Sequence, residues 1–578
     1  MNIIENAHSK EALEAIVKDI SVEVGLEADD YFHGDKFCEM MNCYFLWKVQ
    51  TDKTIKTITD FDERIFDQKA LQFVQATSDE LVDFYKNNKD SWSKLLQLNG
   101  KYADDVLAEC LVYLDYFDDD FFESTPDSIC KLVDKFLQIN KTDSVLEIHA
   151  QGCEYTTKSR EQHEGTSYTA LSSEYVGLSK GAMVADVLGI SNSIILTTDI
   201  DGKNYNKVFV NNQIDPAKSY GRFDMTDNVI SDELEEGWPE FPVDNSNEWN
   251  ACGYALINAS EKGRVIALMN AGQLTIKQCL KERTFMCQNG CIEGVIMLPN
   301  KMYEDTWVNS YLLILSRGNN KVRFYDASLK SETNRAGGKR INILSDDEIN
   351  TIFEEYSNGV NTVEVNIDDL EKNDFNLNPL RYLNNKTGAV KTIRLGDALI
   401  EVKRGMTLSA AQMDSLVSSE PSKKKCIIPA SIKGGVITTR LYYHGDIKKP
   451  GKNEVFWDEV LLSKTGNPFR SALASEPYLV IGNLYILNVN REMLNPAYLR
   501  CFLNSDMGQR ELAKYATGSA TPIINISDLQ KIEIPIFDEA KQDEINQRCE
   551  EIVKDLERCY KQIEDSEEEV NDLFEQEA

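Results

Sequence analysis

The side chains with the plainest chemistry are ten cations crowded into one stretch: Lys423, Lys424, Lys425, Lys433, Arg440, Lys448, Lys449, Lys452, Lys464 and Arg470. From Lys403 to Arg470 there are twelve lysines and arginines against six acids, although the 578-residue chain carries a net charge of −33. The far field of so acidic a chain repels phosphates, so a basic island within it points to a localised polyanion contact. These cations lie in glycine-bearing stretches rather than along a helix face. Phosphate contacts suit mobile cations of this kind, while base edges are read by polar groups held firmly. Tyr442, Tyr443 and His444 interleave with the charge.

Other chemistries find less support. The 13 cysteines are scattered, and none forms a CxxC pair. Cys38/Cys43 and Cys287/Cys291 come closest to ligand spacing, but no second pair or nearby histidine completes a zinc site, so no metal is expected. No glycine-rich turn follows any strand-like run, and no nuclease signature is evident.

These residues need elements to hold them. Residues 1–120 read as helical: ALEAIVKDI, DKFCEMMNCYFLWKV and SDELVDFYKNN place apolar residues three and four apart. STPDSICKLVDKFLQI then starts a helix, with Ser124 or Thr125 as cap, Pro126 in the first turn and Asp127 facing the helix dipole. To about residue 330, β-runs alternate with helical segments: SVLEI, SIILTTDI, KVFVNN, RVIALM, EGVIML, SYLLIL and VRFYDA. Such alternation predicts an α/β domain with a largely parallel sheet. Residues 338–389 read as a helical and irregular connector. TIRLGDALIEVKRG opens a stretch rich in β-branched residues and turns. From 541 a charged helix follows, with Cys549, Leu556, Ile563 and Val570 on one heptad position. Ile545, Ile552, Cys559 and Leu573 sit on the other, broken by Ser566, as a coiled coil requires. No run of about 18 apolar residues spans a membrane, and no signal peptide is evident, so a cytoplasmic protein is expected.

The order of segments resembles a known family. DDVLAECLVYLDYF, the Thr125–Pro126 segment, ASEKGRVIALMNAGQLT, IEGVIMLPNKMYEDTWVNSYLLILSRG, VRFYDAS and DLEKNDFNLNPLRYL follow one another as in the modification subunit of type I restriction–modification systems. That subunit is a DNA adenine-N6 methyltransferase with a Rossmann-like fold. Residues 390–578 resemble half of a specificity subunit from the same systems, a target-recognition domain followed by a long helix. LGDALIEVKRGMTL, DEVLLSKTGNPFRSAL and the closing run with Gly518, Ser519, Pro522, Asp528 and Leu529 carry that likeness.

The resemblance assigns site residues, and the motifs that hold them look degenerate. Where the family has a glycine-rich turn for S-adenosylmethionine, this chain has SVLEIHAQGCEYT. Glu147 stands for the acid and Gly152 remains, but Gln151 and Cys153 replace the two other glycines. A side chain there crowds the nucleotide or opposes a positive φ. Glu174 stands where the ribose acid would be and Asp199 on the adenine side. In place of the family's Asn-Pro-Pro-aromatic motif, which grips a flipped adenine, stands NYNKVFVNNQIDP. Asn211 aligns with the asparagine; Asn212 and Gln213 replace both prolines, and Ile214 the aromatic.

The expected architecture is multidomain α/β: a helical N-terminal domain (1–120), a Rossmann-like methyltransferase domain (121–337), a connector (338–389), a mixed α/β target-recognition domain (390–540) and a C-terminal coiled-coil helix (541–578). The expected function is a catalytically impaired, sequence-recognising subunit that binds double-stranded DNA beside an active modification or restriction partner, or that self-associates through the last helix. S-adenosylmethionine is the cofactor only if activity survives. The alternatives are an active adenine-N6 methyltransferase using variant motifs, and an acidic protein that mimics DNA.

Overall fold

The computed structural model describes residues 125–150, 153–172, 193–197, 200, 204–212, 225–243, 247–303, 308–336, 339–383, 391–439, 441–447, 451–518 and 521–575, with residues 18, 19 and 22. The helical reading of residues 1–120 therefore lies almost entirely outside the described residues. The chain divides into two compact units, residues 1–383 and 384–578.

The first unit opens with α1 (Asp127–Leu137), whose apolar residues Ile129, Leu132, Val133, Phe136 and Leu137 fall on one buried face. Its N-cap is Pro126, with no side-chain cap. Thr125, expected as a candidate cap, instead sends its hydroxyl to Asn211, 86 residues away. The elements after it are β1 (Ser144–Ile148), α2 (Glu154–Gln162), β2 (Ser167–Leu171), β3 (Ile194–Thr197), β4 (Tyr205–Val210), α3 (Met225–Gly237), α4 (Asn247–Asn258), β5 (Ala259–Asn270), β6 (Ile292–Met297), β7 (Ser310–Leu315) and β8 (Lys321–Asp326). A hairpin of β9 (Glu332–Ala336) and β10 (Lys339–Ile343) precedes α5 (Asp346–Ser357) and β11 (Thr362–Asn366).

Nine of these strands form one sheet in the order β11-β8-β6-β7-β5-β4-β1-β2-β3. Strands β1 to β5 run parallel, as the alternation predicts. Seven of the nine strands run the same way, so the sheet is largely parallel; the exceptions are β7, antiparallel to both β5 and β6, and β11, antiparallel to β8. All six residues of β7 are buried, and a strand covered on both faces reads as continuously apolar whichever way it runs. The stretch read as connector supplies β11 to the sheet edge and α5, whose Phe353 and Tyr356 meet Phe136 of α1 edge-on at 5.3 and 5.4 Å. The chain steps outward from β1 through β2 to β3, then returns to place β4 on the other side of β1. That reversal makes a crevice outside the carboxyl ends of β1 and β4, where sheets of this kind bind ligands.

The second unit is tied end to end. Lys391–Arg394 pairs antiparallel with Glu533–Ile536, and the amides of Leu395 and Gly396 donate to the carbonyls of Ile532 and Gln530 at 2.8 and 2.9 Å. A side chain at Gly396 would sit 2.9 Å from Cβ of Gln530, so this closure needs a glycine. Between the ends lie, among the described residues, a four-stranded antiparallel sheet, a three-stranded sheet and two two-stranded pairs. A single helix of 37 residues, Glu539–Glu575, ends the unit. Cys549 and Val553 are buried in its core, with Ile545 packed beside them. Farther along, Ile563 and Val570 are half exposed. The early part of the heptad seam is thus partly used within the unit, and the later part faces solvent.

Candidate functional site

Three residues that the resemblance singles out meet at the crevice between β1 and β4. Glu147, next to last in β1, is fully buried. Its Oε1 accepts a hydrogen bond from Asn211 Nδ2 at 2.9 Å. Its Oε2 accepts from the backbone amide and hydroxyl of Thr156 at 3.0 and 2.6 Å. Thr125 donates its hydroxyl to Asn211 Oδ1 at 2.7 Å. Asn211 follows β4 directly and is also buried; its own amide donates to the Ile148 carbonyl at 2.9 Å, extending the β1–β4 pairing by one residue.

Local structure explains why the chain tolerates a buried carboxylate here. Thr156 is the third residue of α2, one of the first-turn amides that have no partner within a helix. The N-cap of α2, Cys153, supplies no side-chain cap. Glu147 therefore caps α2 from the neighbouring strand, and its negative charge lies at the positive end of the helix dipole. The result is a chain of bonds, Thr125 to Asn211 to Glu147 to Thr156, joining the start of α1, two strands and a helix.

Around it, Asn212 takes up His149 and Met269. Its Oδ1 lies 3.2 Å from His149 Nδ1, and its Nδ2 donates to the Met269 sulfur at 3.1 Å. The backbone of Cys153 has φ 61°, the left-handed conformation that favours glycine. A cysteine does adopt it, its side chain buried among Ala150, Ala170 and Leu196. On the buried face of α1, burial pushes the Cys130 thiol well above its usual value, which keeps it protonated and inert as a nucleophile. Burial, reinforced by Asp134, does the same to the Tyr155 phenol.

Gln151, Gly152, Glu174, Asp199, Gln213 and Ile214 lie outside the described residues, so of the sequence-derived cofactor and catalytic set the structure places Glu147 and Asn211. Thr156, His149 and Met269 were not singled out from sequence. Thr156 lies nine positions after Glu147, and no periodicity links them. No group of three or more potential metal ligands occurs among the described residues.

Of the cations in the second unit, Arg440, Lys448 and Lys449 lie outside the described residues. Lys424 and Lys425 are ion-paired, to Glu454 and Glu476 respectively, the latter at 2.8 Å. Lys423, Lys433, Lys452 and Arg470 are exposed, and Lys464 is half-buried near the cis Asn467–Pro468 turn.

The family model described as N-6 DNA Methylase matches residues 185–389. This span is N6-adenine DNA methyltransferase-like. It takes in Asn211 and the segments through DLEKNDFNLNPLRYL, and ends close to the boundary between the units. No curated protein matches the chain. Among solved structures, the methyltransferase subunit of a type I restriction–modification system from Streptococcus thermophilus is 15% identical, with a TM-score of 0.48 over 65% of this chain and 100% of that one. The type IIG restriction endonuclease BpuSI is 12% identical, with a TM-score of 0.44 over 95% of this chain and 76% of that one. A modification subunit of a putative type I restriction enzyme from Vibrio vulnificus YJ016 is 12% identical, with a TM-score of 0.43 over 62% of this chain and 92% of that one.

Proposed function

We propose that this chain is a DNA-recognition subunit of the restriction–modification kind, built on a methyltransferase-like body that is catalytically impaired, and that an active partner supplies methyl transfer. The observation that carries the reading is the closed network at the β1–β4 crevice. In an Asn-Pro-Pro-aromatic motif the asparagine side-chain oxygen accepts a hydrogen bond from the exocyclic amine of a flipped adenine, so it must be turned toward the base. Here the side-chain oxygen of Asn211 receives Thr125 and its nitrogen is committed to Glu147. The next residue, Asn212, is engaged with His149 and Met269 instead of directing the backbone as a proline would.

The same observation bears on the cofactor. S-adenosylmethionine would bring a ribose, an amino group and a carboxylate to the end of β1. Among the described residues there, Glu147 already uses both oxygens inside the protein, and the carboxylate of a ligand would meet it at the mouth of α2. With Glu147 engaged in this way, the chain is expected to hold the cofactor weakly. Isothermal titration of the full chain with S-adenosylmethionine is expected to show no saturable binding in the micromolar range. Saturable binding accompanied by transfer of a labelled methyl group to duplex DNA would instead establish the active-enzyme reading.

The partner contact in this reading uses the outer half of the long helix. Ile563 and Val570 expose about half their surface one heptad apart, with Ile552 exposed earlier on the same helix. Ile563→Glu with Val570→Glu is expected to dissociate a homo- or hetero-complex by light scattering while thermal unfolding stays unchanged, because neither residue is in the core. An unchanged mass for an oligomeric parent would remove this helix from the interface.

A further inference from the structure

The second unit contains a small two-residue hairpin. Ile432–Lys433 pairs antiparallel with Val436–Ile437, with Lys433 opposite Val436, so Gly434 and Gly435 alone form the loop. Both have positive φ, 53° and 82°, as two-residue hairpin turns require.

The turn is held from two sides. Arg500, on the helix Pro496–Asn504, is 3% exposed. Its Nε and Nη2 donate to the Gly435 carbonyl at 3.0 and 2.8 Å, and Nη2 also reaches the Gly434 carbonyl at 3.3 Å. A Cβ on Gly435 would collide with that guanidinium, and a Cβ on Gly434 with the hydroxyl of Tyr560 on the long helix. The two glycines are thus what lets the hairpin seat against both helices.

A buried guanidinium needs compensation, and here peptide carbonyls supply it. Among the described residues no carboxylate lies within ion-pair distance of Arg500. Glu557 on the last helix senses it at longer range: burial pushes that carboxyl up, and Arg500 only partly holds it down. The positive charge of Arg500 therefore stands behind the turn, polarising the peptide groups it binds. Lys433 is exposed at the hairpin's rim, with no acid partner among the described residues.

We propose that the Lys433–Gly434–Gly435 hairpin is a fixed contact for a phosphodiester of duplex DNA, with Lys433 as the contacting cation and Arg500 and Tyr560 as positioning residues. This rests on the DNA-recognition reading above. Most of the neighbouring cations sit in loops, whereas this one is carried on a turn clamped to two helices. It would set the register of the backbone and not merely add charge.

The test is fluorescence anisotropy of the full chain on a duplex at several salt concentrations. Lys433→Ala is expected to flatten the salt slope by about 0.9. Arg500→Gln, though its side chain is buried, is expected to flatten it by a similar amount. In the Arg500→Gln background, Lys433→Ala should then add nothing, while Lys452→Ala remains additive in both backgrounds. A merely structural arginine would not produce that selective coupling. If Arg500→Gln fails to fold, Gly434→Ala, which pushes the turn off Tyr560, takes its place in the cycle. A Lys433→Ala protein with the parent slope, or full additivity of Lys433 with the clamp variant, overturns the inference and leaves DNA recognition standing. A parent protein that binds no duplex at low salt overturns both.

Discussion

Glu147→Ala is expected to destabilise the first unit by about 3 kcal/mol, since it strands buried hydrogen-bond donors in one step. The Thr156 amide and hydroxyl and the Asn211 side-chain amide all lose their acceptor. The amide loss also uncaps α2, which has no other side-chain cap from its own N-cap residue. Glu147→Gln should cost less, about 1–2 kcal/mol, because the shape is kept while the new NH2 must face either Thr156 or Asn211, donor against donor. Thr125→Val should be milder still, at about 1 kcal/mol, leaving Asn211 Oδ1 without its donor. Urea denaturation followed by circular dichroism orders the three. An alanine variant as stable as the parent would mean that the carboxylate does not brace β1, β4 and α2, and that the crevice is not sealed by it.

That network also shows where sequence reasoning reaches and where it stops. Apolar runs such as SVLEI and KVFVNN announce β1 and β4, and serial order brings forward Glu147 as a cofactor residue and Asn211 as a catalytic one, with Thr125 only in the segment that opens the resemblance. Their hydrogen bonding is not legible there. Thr125 reads as an ordinary cap beside Pro126, and nothing local reveals that its hydroxyl serves a residue 86 positions on. SYTAL does not read as a strand, because its small and hydroxylic residues lack an apolar pattern, yet four of its five residues are buried between β1 and β3. TVEVN at the opposite edge has one buried residue, so it reads as linker. Cys153 shows a different limit: steric reasoning assigns a positive φ to glycine, but a cysteine buried among Ala150, Ala170 and Leu196 holds that conformation. Such a conformation costs of order 1 kcal/mol, which packing can offset. In the second unit the density of lysines is plain from sequence, but not which of them carboxylates already engage.

That distinction decides the other large effect, on DNA affinity. Each phosphate neutralised by a cation contributes a salt slope of about −0.9 on duplex DNA. Lys423 and Lys452 are exposed, with no acid partner among the described residues. Replacing both with alanine is expected to flatten the slope by up to about two units. Between about 50 and 200 mM salt that corresponds to roughly a tenfold smaller loss of affinity. Lys424 and Lys425 differ, because each is paired with a glutamate. To reach a phosphate either must leave its carboxylate, so Lys424→Ala with Lys425→Ala should change the slope by less than the first pair. It should instead lower stability, mainly through Glu454, which is 8% exposed and would lose its cation. Sequence preference should survive in the Lys423/Lys452 variant, since phosphate contacts carry no base information. Anisotropy on two duplexes at several salt concentrations, with thermal melts of both double variants, separates these effects. If the Lys424/Lys425 variant removes most of the slope while melting like the parent, those ion pairs contribute nothing to stability and the assignment of phosphate contacts is reversed. If no protein binds duplex even at low salt, the net charge of −33 outweighs the basic island, and a DNA-mimicking role becomes the better account of this acidic chain.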